Sequence, residues 1–84
     1  MKQIQPVIFP LNLGTATIFN LISISDNLND YATFYYQLFT SDNKQLQDGN
    51  LIMNGFDYEA YSTSPDSNSY AYSWGASKLG LTLI

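Results

Sequence analysis

YATFYYQLFTSDNKQLQDGNLIMNG, residues 31–55, holds five aromatic side chains, two turn signals and almost no charge. Its first nine residues alternate: Phe34, Tyr36 and Leu38 fall on one face, and Tyr31, Thr33, Tyr35, Gln37 and Phe39 on the other. Aromatic and β-branched side chains suit a pleated, half-buried surface, so Tyr31–Phe39 is predicted to be a strand. Asp42-Asn43 are residues that reach the positive φ of a tight turn, and Gln45–Met53 then returns as an antiparallel partner. Asp48-Gly49 in its middle reads as a second tight turn or a G1-type bulge, and the bulge is expected because the arms of a second hairpin would be very short. Asn54-Gly55 ends the strand.

Upstream, Gly14 opens a run rich in β-branched residues, Thr15–Ser25. Ala16, Ile18, Ile22 and Ile24 share one face at period two, with Asn20 interrupting, and Phe19 and Leu21 point the other way. Both faces are partly apolar, which suits a central strand or one covered by a partner. Asp26–Asp30, DNLND, reads as a loop, because Asn and Asp tolerate left-handed turns and bond their own backbone. Residues 1–11 read as an extended arm or first edge strand, since Pro6 and Pro10 cannot donate to a ladder.

Downstream, Phe56–Tyr61 is too short and aromatic to assign, with one helical turn capped by Asp57 as its candidate reading. Ser64-Pro65 has the form of a cap followed by proline at the first helical position. Tyr70–Gly80 carries the i, i+4 pairs Tyr70/Trp74 and Ala71/Gly75/Leu79, so a short helix ending at Gly80 is expected there. Trp74 is expected on that helix, against the sheet beside Leu79 and Leu81. Leu81–Ile84 is a terminal strand stub. The expected fold is mainly β: one domain over residues 1–84, with a small antiparallel sheet, sandwich or half barrel of four to five strands and a short C-terminal helix. Phe34, Tyr36, Leu38, Trp74 and Leu79 are its expected core.

Composition narrows the function. With 84 residues and no cysteine, disulfides and thiolate sites are excluded. With no histidine, the commonest metal ligand and general base is missing. Small scaffolds usually need a supplement, and an oligomeric partner is the one left. Charged residues are only 12% of the chain while aromatics are 15%, a bias shared by surfaces that bury against another protein and by small β domains that need large residues to fill their core. The net charge of −4, with Lys2, Lys44 and Lys78 as the cations, provides no basic stripe for phosphates or anionic lipid. Nucleic acid and membrane are therefore not expected as partners. The N-terminal apolar run is broken by Pro6 and Pro10, so no signal peptide is expected and synthesis in a cytoplasm is.

No motif carries chemistry. Lys78 lies five residues after Ser73 and beside Ser77, a spacing that chance supplies in most chains. Six of the seven acids, Asp26, Asp30, Asp42, Asp48, Asp57 and Asp66, sit in turn or cap contexts, and Glu59 has no obvious carboxylate partner. DNLND lacks the glycine and terminal acid of a calcium loop. Catalytic residues, cofactors and metals are therefore not expected. Tyr58, Tyr61, Tyr70, Tyr72 and Trp74 cluster in the last third, where packing or a protein interface is the safer reading than a sugar site.

Residues 35–61, YYQLFTSDNKQLQDGNLIMNGFDYEAY, and 70–83, YAYSWGASKLGLTL, resemble small virion proteins of tailed bacteriophages, the crAss-like group infecting Bacteroidetes among them. The likeness is structural and brings no catalytic residue. It implies a β-rich building block of a particle, localised in the virion and bound to protein subunits of the same particle as a homo- or hetero-oligomer. An auxiliary or decorating capsid protein is the first expectation; a neck or tail component, a small cytosolic inhibitor of a host protein, and a carbohydrate-binding module are alternatives. Val7, Ile8 and Phe9 of the arm, Tyr58, Tyr61 and Tyr70, and Leu81 and Leu83 of the terminal stub are the expected interface residues.

Overall fold

The computed structural model describes residues 1–10 and 13–84; Leu11, the last residue of the expected arm, lies outside them. Four strands, β1 (Lys2–Phe9), β2 (Gly14–Asp26), β3 (Tyr31–Phe39) and β4 (Gln45–Asn54), precede two helices, α1 (Gly55–Thr63) and α2 (Ser67–Leu79). The strands form one antiparallel sheet in the order β1-β2-β3-β4. The sheet stays open, with both helices on one face.

The β3–β4 hairpin forms with the expected partners, from Tyr31 opposite Asn54 to Phe39 opposite Gln45. The turn closes through Asn43 at φ 67° and a bond from Thr40 N–H to Lys44 O of 2.9 Å. The bulge, however, is at Leu46 rather than Asp48-Gly49: Leu38 faces Gln47 and Phe39 faces Gln45, while Asp48 and Gly49 pair regularly with Gln37 and Tyr36. Gly49 answers a packing demand instead. A Cβ there would sit 2.8 Å from Cε1 of Tyr36, whose ring lies across the position.

Pairing gives the inner face in rows: Phe19–Leu38–Gln47, Leu21–Tyr36–Gly49, Ser23–Phe34–Leu51 and Asp26–Ala32–Met53. Register slips at Ile24, since Ser23 faces Phe34 and Ser25 faces Thr33. One extra residue reverses the side on which the strand's later residues project. Asp26 is thereby turned inward with Ala32, where the Tyr58 hydroxyl donates to its Oδ1 at 2.6 Å.

The helices differ from expectation in number and in caps. Phe56–Tyr61 belongs to a nine-residue helix that starts after Asn54, with Asp57 inside the first turn and not capping it. Local pattern misses α1 because its apolar residues follow no helical stripe; Tyr61 holds it against Phe34, ring centroids 5.7 Å apart and perpendicular. α2 is capped by Asp66, not by Ser64: its carboxylate accepts from Ser69 N–H at 3.1 Å and Ser69 Oγ at 2.9 Å. These bonds hold the Asp66 carboxyl below its ordinary pKa. Gly80, at φ 72°, ends α2 as expected.

The core has two centres. Ile4, Ala16, Phe19, Tyr36, Leu38 and Ala76 form one, with Leu79 and Leu81 packed against it. Ala32, Phe34, Met53, Tyr58, Ala71 and Trp74 form the other. Trp74 therefore rests on Phe34, centroids 5.7 Å apart, and not beside Leu79 and Leu81. Helical periodicity explains this: positions 74 and 79 are five residues apart, about 140° around the axis from one another. Ala16 also departs from the face assigned to it with Ile22 and Ile24. The pairing is irregular between Gln3 opposite Ile18 and Val7 opposite Ala16, which breaks the alternation of β2 there, so Ala16 is fully buried in the same core centre as Phe19 while Ile22 and Ile24 stay exposed.

The chain ends return to the sheet. Leu83 bridges Ile4, Gln5 N–H donates to Thr82 O at 2.8 Å, and Ile84 N–H donates to Gln3 O at 3.1 Å. Pro6 falls in the irregular stretch between Gln3 and Val7, where a residue without an N–H interrupts nothing.

Candidate functional site

The helices cover one face of the sheet and leave the other open. On the open face the pairing sets out Ile18–Phe39–Gln45, Asn20–Gln37–Asp48, Ile22–Tyr35–Asn50, Ser25–Thr33–Ile52 and Tyr31–Asn54 in successive rows. Ile22, Ile24, Tyr31 and Ile52 are 46%, 57%, 42% and 62% exposed. Isoleucine at this exposure forfeits much of the ~1.5–3 kcal/mol that full burial of such a side chain returns. Beside this apolar end lies an uncharged ladder: Asn20 Nδ2 donates to Gln37 Oε1 at 3.0 Å, and Gln37 Nε2 donates to Gln45 Oε1 at 2.6 Å.

Asp48 is the one ionisable carboxylate in these rows. The Tyr35 hydroxyl donates to its Oδ2 at 2.6 Å. That bond, with partial desolvation and the charge of Asp48, raises the Tyr35 pKa. The remaining acids belong to loops, turns and the helix side, so the open face is poor in charge on a chain of net charge −4. An apolar patch bordered by oriented amides suits docking onto another protein surface.

Two shallow clefts lie elsewhere. The first, about 510 Å³, is lined by Asn29, Asp30, Gly55, Phe56, Tyr58, Glu59 and Ser62, where the β2–β3 loop meets α1. It places Asp30 and Glu59 on one rim, but the loop's polar groups are engaged with one another. Asn27 Oδ1 accepts the N–H groups of Asn29, Asp30 and Tyr31 at 3.0 Å each, and Asp30 Oδ1 accepts from Asn27 Nδ2 at 2.6 Å. Asp26 Oδ1 accepts from Leu28 N–H at 2.8 Å as well as from Tyr58. The bond to Asp26, with desolvation and the carboxylate charge, pushes the Tyr58 pKa up to about 12. Among the described residues there is no group of three or more acids positioned to hold a metal ion.

The second cleft, about 350 Å³, is lined by Asp57, Tyr70, Ser73, Trp74, Ser77 and Lys78. It gathers the Ser-Lys spacing seen in the sequence, and no hydrogen bond among the described residues joins Lys78 to either serine. Trp74 Nε1 is buried and has no hydrogen-bond partner among the described residues. The half-buried and buried tyrosines differ: Tyr36 Oη accepts from Gln47 Nε2 at 2.9 Å, and Tyr72 Oη accepts from Leu21 N–H at 3.2 Å.

The residues expected at an interface are scattered by the fold. Ile8 is 82% exposed, while Val7 and Phe9 are half-buried against the first core centre. Tyr58 is buried, and Tyr61 and Tyr70 pack against the second centre. Leu81 and Leu83 pack against the first. Of the expected core, Phe34, Tyr36, Leu38 and Trp74 are buried and Leu79 is half-buried. Ile22, Ile24, Tyr31 and Ile52, the exposed apolar group, are absent from the expected interface. Their signal was the pair of apolar faces on Thr15–Ser25, which the burial of Phe19 and Leu21 resolves by leaving Ile22 uncovered.

Comparison with known protein families, curated proteins and solved structures gave no match.

Proposed function

We propose that this chain is a non-enzymatic structural protein of a virion, an auxiliary or decorating capsid component that docks its open sheet face onto other coat subunits. The observation that carries the docking role is the uncovered group Ile22, Ile24, Tyr31 and Ile52, set on a surface with one carboxylate. Burying it recovers apolar stabilisation that an 84-residue domain has little other means of obtaining. The amide ladder through Asn20, Gln37 and Gln45 gives a docked surface polar groups to align against. The virion context draws on the likeness of residues 35–61 and 70–83 to small phage particle proteins.

Quantitative mass spectrometry of purified particles tests this reading. A decorating protein is present in many copies, in fixed ratio to the main coat protein. A few copies per particle would move it to the neck or tail. Its absence from particles, with abundance in infected-cell lysate, would overturn the structural reading in favour of a cytosolic inhibitor.

A further inference from the structure

The edges of the sheet are treated unequally. On the β1 side, Leu81–Ile84 closes the edge around Gln3–Gln5, and Pro6 has no N–H to offer. Where β2 runs past β1, Tyr72 Oη takes the Leu21 N–H and Ile24 bulges. β4 has neither device beyond its first residues. From Gln47 to Asn54 it is regular, contains no proline or lysine and carries one charge, Asp48. Among the described residues, no hydrogen bond from outside the sheet reaches the backbone of β4. Eight residues at ~3.3 Å each make about 26 Å of unprotected edge, a template for another strand.

We infer that β4 pairs with β4 of a second copy, antiparallel about a twofold axis, to give one eight-stranded sheet. The pairing runs through the backbone of the β4 edge, whose outward side chains Asp48, Asn50 and Ile52 border the open face, and it stands whether or not the chain belongs to a virion. Such an axis keeps both helix layers on one side, so inward side chains must meet inward ones. Registers centred on Gly49 or on Asn50 satisfy that condition. The bulge at Leu46 separates them: pairing around Asn50 uses residues 47–53 without interruption, whereas pairing around Gly49 uses 47–51. Around Asn50, Asp48 faces Ile52 of the second copy and Gln47 faces Met53. The lone charge never opposes its own copy, so a self-complementary edge carries no like-charge penalty. Leu51 comes to lie beside the side-chain-free Gly49 of the other copy.

Sedimentation equilibrium of the full chain tests the pairing, with Asn50→Asp as the decisive variant. Asn50 is exposed, and the new carboxylates oppose one another at the axis or oppose Asp48 in the other register. The wild type should reach twice the 9.4 kDa chain mass, and Asn50→Asp should weaken the dimer about tenfold or more. Ile24→Lys, on exposed β2, should leave the dimer unchanged. Amide exchange of the wild type supplies an independent reading: protection in β4 should rise with concentration while that of Ser23–Ser25 stays constant. A wild type that remains monomeric into the millimolar range overturns the inference. So does a dimer that Ile24→Lys breaks and Asn50→Asp spares, which would place the twofold contact on the open face.

Discussion

Phe19 and Gly75 set how closely α2 can approach the sheet. A Cβ on Gly75 would lie 3.1 Å from Cζ of Phe19, and Phe19 is fully buried and has nowhere to retreat. Gly75→Ala gains about 1 kcal/mol of helix propensity. Overpacking at such a contact costs ~1–3 kcal/mol. The expected outcome is a lower melting temperature by circular dichroism, despite the better helix former; a rise would show that the contact is slack. Trp74 is the opposite case, a large side chain with no substitute. Trp74→Ala should cost ~3–5 kcal/mol. That is about a quarter or more of the stability of an 84-residue domain, about 4–13 kcal/mol at ~0.05–0.15 per residue, so the urea midpoint of the variant should fall sharply. Trp74→Phe should retain most stability, because the indole N–H it removes has no partner among the described residues.

At the level of elements, the bond from Tyr58 to Asp26 ties α1 to the far end of β2, and the Ile24 bulge is what makes it possible. Tyr58→Phe should lower the melting temperature without changing the sheet signal in far-UV circular dichroism. The bond also has a pH signature. The folded pKa of Tyr58 is raised, so its contribution is complete below the unfolded phenol value of ~10. It is lost as pH rises through the folded value of about 12. The stability difference between wild type and Tyr58→Phe should therefore be flat through neutral pH and shrink in strong alkali. Asp66 works in the reverse sense. Its lowered pKa makes the α2 cap fully effective above the unfolded carboxyl range and lost as pH falls through the folded value, so Asp66→Asn should flatten the acid limb of the melting profile. The hairpin was legible in the sequence because strict alternation survives wherever one face is buried. The bulge was not, because Gly49 is chosen by the ring of Tyr36 thirteen residues away and not by a local turn. α1 was not legible for the same kind of reason: Tyr58 and Tyr61 are held by Asp26 and Phe34, partners distant in the chain.

Across the whole molecule, two helices cover one side of a four-stranded sheet and leave an apolar, nearly uncharged side without cover. The sequence showed that Thr15–Ser25 is apolar on both faces, but which face lies uncovered depends on the side taken by helices formed later in the chain. That is why the isoleucines of β2 and β4 were missed and the tyrosines of the helices, now half-buried or buried, were preferred. The most direct test places a charge on the open face where the fold has no use for the side chain. Ile22→Lys with Ile24→Lys alters two exposed positions on β2, away from the β4 edge, so the melting temperature should fall by no more than about 4–8 °C, the ~1 kcal/mol that two ±0.5 kcal/mol surface changes allow. Incorporation of this folded variant into purified particles, measured against wild type by quantitative mass spectrometry, should fall at least about tenfold, a loss of ~1.4 kcal/mol or more in docking. Incorporation at the wild-type level by the folded double variant would contradict the open face as the docking surface.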